Sequence, residues 1–224
     1  MNRNDNSFAG AKTLRATYIE SPETLSNEQL YQSMLAQTSA HKIDSLNWPD
    51  YPYAPAVTVR VAFSEDSLVL LFEVEEEHVK AVTLNSNGPV WEDSCVEFFT
   101  ATPDGEGYFN FEANCVATLL AARRKSRNDA QMFTEEQIGS VRLVGSLPKQ
   151  TIDSRGAGQK WWMLEVIPFS LLGWPSAPER IRANFYKCGD NCDKTHFLSW
   201  SPIDLPQPNF HCPNFFGTVE LARE

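Results

Sequence analysis

Two neighbouring segments constrain the fold more than any other part of the chain. They are Val90-Trp91-Glu92-Asp93-Ser94-Cys95-Val96-Glu97-Phe98-Phe99 and Gly107-Tyr108-Phe109-Asn110-Phe111-Glu112-Ala113-Asn114. Each alternates with a period of two, the pattern of a half-buried β-strand. In the first, Val96 and Phe98 share one face, while Trp91, Asp93, Cys95, Glu97 and Phe99 share the other. In the second, Phe109 and Phe111 oppose Tyr108, Asn110, Glu112 and Asn114, and Pro103-Asp104-Gly105 supplies a turn between the segments. The second face collects aromatic, carboxylate and amide groups in place of the Lys, Thr and Ser of an idle solvent face. An aromatic ring can cover the C–H face of a pyranose while carboxylates and amides meet its hydroxyls, so such a surface suits a sugar.

The remaining segments read as strands at short intervals. Residues 57–63 alternate and turn at Ser64-Glu65-Asp66-Ser67 into an apolar run over 68–74, a hairpin whose second strand is buried. Further strands are expected at 141–144, 161–168, 180–186 and 216–221, with a single turn at Phe169-Ser170-Leu171-Leu172-Gly173. Residues 119–131 fit either a strand or a helix. Ahead of the strands, residues 1–20 read as an irregular arm with one short strand. Helix-start signals at Ser21-Pro22-Glu23-Thr24 and Ser26-Asn27-Glu28 predict a short helix over 24–37. The prolines of Trp48-Pro49-Asp50-Tyr51-Pro52-Tyr53-Ala54-Pro55 exclude helix and central strand, leaving an extended wrap. The expectation is one antiparallel β-sandwich over 46–224, with 1–45 as an N-terminal arm and short helix packed on it.

Composition excludes several classes. A net charge of −10, with no basic cluster larger than Arg123-Arg124-Lys125 and Arg127, argues against nucleic acid or an anionic membrane as partner. No stretch of about 20 apolar residues would span a membrane. Met1-Asn2-Arg3-Asn4-Asp5-Asn6 lacks the apolar core of a signal peptide. This places the chain in the cytoplasm if that terminus is native, and in the periplasm or outside the cell if a leader has been removed. The five cysteines read as free thiols. Cys188 and Cys192, with Asp190, Asp193 and His196 nearby, are the one grouping that would suggest a metal or redox loop.

With its motifs placed, the chain resembles the family 9 carbohydrate-binding modules and their DOMON-like relatives, which are single β-sandwiches with an immunoglobulin-like arrangement. The likeness rests on the order of several motifs. First come Leu70-Leu71-Phe72-Glu73-Val74 and Glu75-Glu76-Glu77. The core signature W-x-D-S-x-V-E-x-F at 91–99 and Tyr108-x-Asn110-Phe111-Glu112-x-Asn114 follow. Later pieces are Trp162 to Ile167-Pro168-Phe169, Phe197-Leu198-Ser199-Trp200-Ser201-Pro202 and Pro213-x-x-Phe216-Gly217-x-Val219. The resemblance covers nearly everything beyond residue 45. It implies that two Trp side chains sandwich a terminal pyranose and that polar groups of the same sheet face fix its hydroxyls. Trp91 matches the first Trp and Glu97 the acid on its strand; Trp200 matches the second Trp, with Trp174 as the alternative. Where the family uses an Arg on the strand at 109–114, this chain carries Glu112.

The expected ligand-binding set is therefore Trp91, Glu97, Tyr108, Asn110, Glu112 and Trp200, binding a mono- or oligosaccharide without catalysis. A second reading is a glycoside-acting enzyme. If residue 97 pairs with 112 and 98 with 111, the two glutamates face each other across the hairpin with carboxylates about 5 Å apart, the separation of a retaining glycosidase. A third is a scaffold for protein contacts, with a flat aromatic patch. No cofactor is expected. Calcium on the carboxylate oxygens is the alternative considered, and the four His and the Met residues show no spacing that recommends haem.

Overall fold

The computed structural model describes residues 9–223, and Met1–Asn6, where a signal peptide would begin, lies outside them. In chain order the first strands are β1 (Thr13–Arg15), β2 (Thr17–Tyr18), β3 (His41–Lys42), β4 (Ser45–Leu46) and β5 (Ala56–Phe63). Next come β6 (Ser67–Ala81), β7 (Cys95–Ala101), β8 (Tyr108–Asn114), β9 (Leu119–Ser126) and β10 (Asp129–Met132). The last are β11 (Arg142–Gly145), β12 (Ile152–Pro168), β13 (Arg180–Cys188), β14 (Phe197–Ser199) and β15 (Gly217–Glu220). Helix α1 spans Asn27–Gln37 and the short α2 spans Glu135–Gly139.

These strands form the two sheets of a β-sandwich. One runs β1-β15-β13-β7-β8-β9-β10, with β14 and β4 added beside β13; the other runs β11-β12-β6-β5-β2, with β3 beside β5. Pairing is antiparallel except where the N-terminal arm adds β1 to β15 and β2 to β5 in parallel. The arm thus stitches a strand onto each sheet. The ambiguous 119–131 segment is the hairpin β9–β10, because Leu119, Leu120, Ala121 and Ala122 are buried on β9 in register with β8.

Three apolar layers hold the sandwich. The largest lies between the sheets and includes Val59, Val61, Phe72, Phe98, Phe111, Met163 and Phe185. A second packs on the outside of the β5-β6-β12 sheet, where Leu30 and Met34 of α1 meet Ala62, Val69, Leu71 and Leu164. Covering both faces of β6 explains why its sequence is a continuous apolar run rather than an alternating one. α1 is seated by a capping box in which the Ser26 hydroxyl accepts from the Gln29 N–H and the Gln29 side chain accepts from the Ser26 N–H.

The third layer changes the expected picture of β7 and β8. Their second face does not meet solvent: Phe99, Tyr108 and Tyr186 pack there against Trp48, Ile203, Phe210 and Phe216. The wrap at 48–55 and the irregular segment after β14 fold over the sheet, and the Trp48 indole N–H donates to the Leu205 carbonyl at 2.8 Å. The face read as a sugar-facing surface is roofed, except at one opening.

Candidate functional site

That opening is a cavity of about 280 Å³ on the outer face of the β13-β7-β8-β9 sheet. Its lining includes Glu97 of β7, Glu112 of β8 and Cys188 of β13. Arg124 of β9 and Arg127 with Asn128 of the β9–β10 turn add a basic side. Trp91 and Asp190 form a further side, and Phe197, Asn209, Phe210 and His211 come from β14 and the roof.

The hairpin has the register taken as a condition above, with Glu97 opposite Glu112 and Phe98 opposite Phe111. Trp91, however, does not lie on the strand. It sits in a 3-10 turn, Val90–Glu92, ahead of β7, and Val90 rather than Trp91 points into the protein. The turn is anchored by the loop after β13: the N–H groups of Asp190 and Asn191 donate to the carbonyls of Trp91 and Glu92, each at 3.2 Å. Trp91 remains 37% exposed while its neighbours are fixed.

The rest of the signature motif is structural. Asp93 is fully buried, and its carboxylate accepts from the backbone N–H of Val82 and Thr83 and from the Asn114 amide at 2.9–3.0 Å. The Ser94 hydroxyl joins the same splice, accepting from the Lys80 N–H and donating to the His78 carbonyl. Aspartate and serine in the motif therefore lock the end of β6 to the start of β7 and so aim Trp91 and Glu97.

Asn110 and Tyr108 are buried beside the cavity and act on its lining. The Asn110 amide donates to Glu112 at 2.8 Å, and its carbonyl oxygen accepts from the Arg124 guanidinium at 2.8 Å. The Tyr108 hydroxyl hydrogen-bonds Nδ1 of His211 at 2.9 Å. Arg124 brings a base to the cavity from β9, the strand beside the one that carries Glu112. In the sequence this arginine belongs to a short basic run, and the apolar first half of β9 masks the strand's period-two pattern.

Trp200 is the clear correction. It is 2% exposed, sits between the sheets 5.5 Å from the Phe185 ring, and does not line the cavity. A Cβ on Gly217 would fall 2.5 Å from its indole, so the glycine makes room for it. Strict alternation explains the inversion: Leu198 and Trp200 face the inter-sheet core, while Phe197 faces the roofed side and lines the cavity. Trp174, the alternative, packs against the inter-sheet core as well.

Burial dominates the electrostatics of the cavity. Desolvation, then the neighbouring Glu112 carboxylate, holds the Glu97 carboxyl well above its ordinary range. Burial pushes Glu112 up to about 7, opposed by the Asn110 hydrogen bond and Arg124. Asp190 is pushed up to about 6 by burial and by Glu92. His211 is lowered to about 3 by burial and by Arg124 and Arg127, which keeps it neutral. The Cys188 thiol donates to Glu97 Oε1 at 3.0 Å. The cavity thus offers acids that can donate as well as accept, a guanidinium and a partly exposed indole.

The chain matches the model of carbohydrate-binding family 9 over residues 27–221. No curated protein matches it in sequence. Among solved structures it is similar to a Bacteroides uniformis protein to which carbohydrate binding has been provisionally assigned. The two are 35% identical, with a TM-score of 0.89 over 94% of this chain and 99% of the other. It also shares its fold with a family 9 module of Caldicellulosiruptor kristjanssonii solved with glucose, at 10% identity and TM-score 0.59 over 95% and 97% of the two chains. A family 9 module of the same organism solved with cellotriose gives 11% identity and a TM-score of 0.57 over 93% of each chain.

Proposed function

The chain belongs to carbohydrate-binding family 9, and on that premise we propose that the cavity beside Trp91 binds a single sugar ring or chain end without chemical change. The observation that carries this reading is the convergence of a partly exposed indole with buried Glu97 and Glu112 in one small concave site. At about 280 Å³ the space lies near the lower end of ligand pockets, which suits a ring and not an extended chain. Trp91 is the stacking platform, and Phe197 and Phe210 complete the aromatic lining in the place first assigned to Trp200. Glu97, Glu112 and Arg124 meet hydroxyls; Asn110 and Tyr108 hold Glu112, Arg124 and His211 in position. A sugar that satisfies these groups gains specificity because a mismatch would leave buried polar atoms unpaired.

Isothermal titration calorimetry of the native protein and Trp91→Ala against glucose, cello-oligosaccharides and a wider glycan set tests the proposal. Truncation should cost about 2 kcal/mol of affinity, roughly thirtyfold, with the fold intact. Equal affinity for both proteins would remove the stacking role.

One observation favours a second reading. Two carboxyls face each other across the hairpin in the cavity, the arrangement of a retaining acid–nucleophile pair, and burial raises both. Turnover of aryl glycosides that disappears in Glu97→Gln would establish hydrolysis in place of binding alone.

A further inference from the structure

Beside the cavity, two cysteines that sugar binding leaves without a purpose converge on Glu97. Cys95 on β7 and Cys188 on β13 are direct cross-strand partners, and Glu97 lies two residues along β7 on the same face. The two sulfurs and a Glu97 oxygen all fall within 4.8 Å of one another, and all three residues are buried. The pair evident by spacing, Cys188 and Cys192, is not the one that converges: Cys192 turns away to Ser94, 3.8 Å from its hydroxyl. We propose that Cys95, Cys188 and Glu97 form a binding site for a zinc-type divalent cation.

The geometry fits such an ion. Thiolate and carboxylate ligands bind zinc at about 2.3 and 2.1 Å, which places tetrahedral ligands about 3.6–3.8 Å apart. The cluster brackets that spacing, with Cys188 Sγ 3.0 Å from Glu97 Oε1 and no pair beyond 4.8 Å. Two sulfurs and one oxygen suit a borderline-soft metal and not calcium or magnesium, which take oxygen ligands. All three donors project from adjacent strands of a packed sheet, so little ordering is required. Glu97 and Cys188 also line the cavity, which leaves the fourth coordination position facing it, the pattern of an open zinc site. Binding releases the two thiol protons and any proton on Glu97. The resulting site carries a net charge of about −1 by formal count of ligands and ion, and Arg124 lines the same cavity.

The reduced protein should take up one equivalent of cobalt(II), with a thiolate-to-metal charge-transfer band in the near ultraviolet, and zinc(II) should displace it. Cys95→Ser and Cys188→Ser should each weaken cobalt binding by roughly a hundredfold and diminish that band, whereas Cys115→Ser should change neither. The absence of a band in the native protein would overturn the proposal, as would an unchanged band in both variants. Recovery of Cys95 and Cys188 as a disulfide from protein isolated without reductant would also overturn it. Cys95 does not line the cavity, so sugar titration of Cys95→Ser without metal reports on the sugar reading separately.

Discussion

The inside of the sandwich and the outer face of its β7–β8 hairpin both bury ionisable groups and each carry a tryptophan, but they treat them in opposite ways. Between the sheets, Lys187 and Glu76 are fully buried and form an ion pair at 3.0 Å. The Glu76 carboxylate also accepts from the Trp161 indole N–H at 2.7 Å. Lys187 donates to the Cys188 carbonyl and to Nε2 of His196, each at 2.8 Å, while His196 Nδ1 donates to the Lys194 carbonyl. Burial acts to lower the Lys187 ammonium, but Glu76 together with Cys192 and Cys188 leaves it raised; the same burial and Lys187 keep His196 neutral. On the outer face, Glu97 and Glu112 have among the described residues a thiol and an amide as hydrogen-bond partners, and open space beside them. Buried charge that is matched within the protein holds the fold together. Buried polarity left incompletely matched beside a cavity is available to a ligand.

The two tryptophans draw the same contrast and give the largest effect expected at a fixed pH. Trp200→Ala should destabilise the protein by about 4 kcal/mol in chemical denaturation, since it empties a packed core. Trp91→Ala should change stability by less than about 1 kcal/mol while losing sugar affinity. A similar stability loss in both would erase the distinction between wall and core.

Next in size is the interior ion pair. Lys187→Met leaves the Glu76 carboxylate uncompensated and should cost about 3 kcal/mol, much of it recovered by adding Glu76→Gln. Should the double variant prove no better than the single one, Lys187 and Glu76 are not a coupled unit.

The last effect is read across pH and belongs to Glu165, a buried acid on β12 whose two oxygens have no hydrogen-bond partner among the described residues. Alternation places it on the Met163 and Ile167 side, toward the inter-sheet core. Burial raises its carboxyl from an ordinary 4.5 to about 8. A raised folded-state value means the stability it permits is complete below 4.5 and is lost as pH climbs toward 8. In thermal unfolding the advantage of Glu165→Met over the native protein should therefore grow by about 5 kcal/mol between pH about 4 and pH about 9. A constant difference across that range would show that Glu165 does not titrate inside the core.

Much of this molecule was legible from residue order. Period-two alternation places the β7–β8 hairpin and limits its register, because one slipped residue would turn Phe98 and Phe111 out of the core. The serine and glutamine at 26 and 29 mark where α1 begins, and the proline run from 49 to 55 excludes a strand there. Those features are local or depend on a single repeat. Whether a given face meets water is not local. The second face of β7 became a roofed wall because a segment about a hundred residues later folds across it, an event no alternation on β7 records. For the same reason Trp200 went inward while Phe197 took its place, and Arg124 reached the cavity from a neighbouring strand. Cys95 likewise met Cys188 across two strands and not Cys192 four residues on. Sequence decided which residues form strands and which way they alternate; only tertiary packing decided which of those faces a ligand could reach.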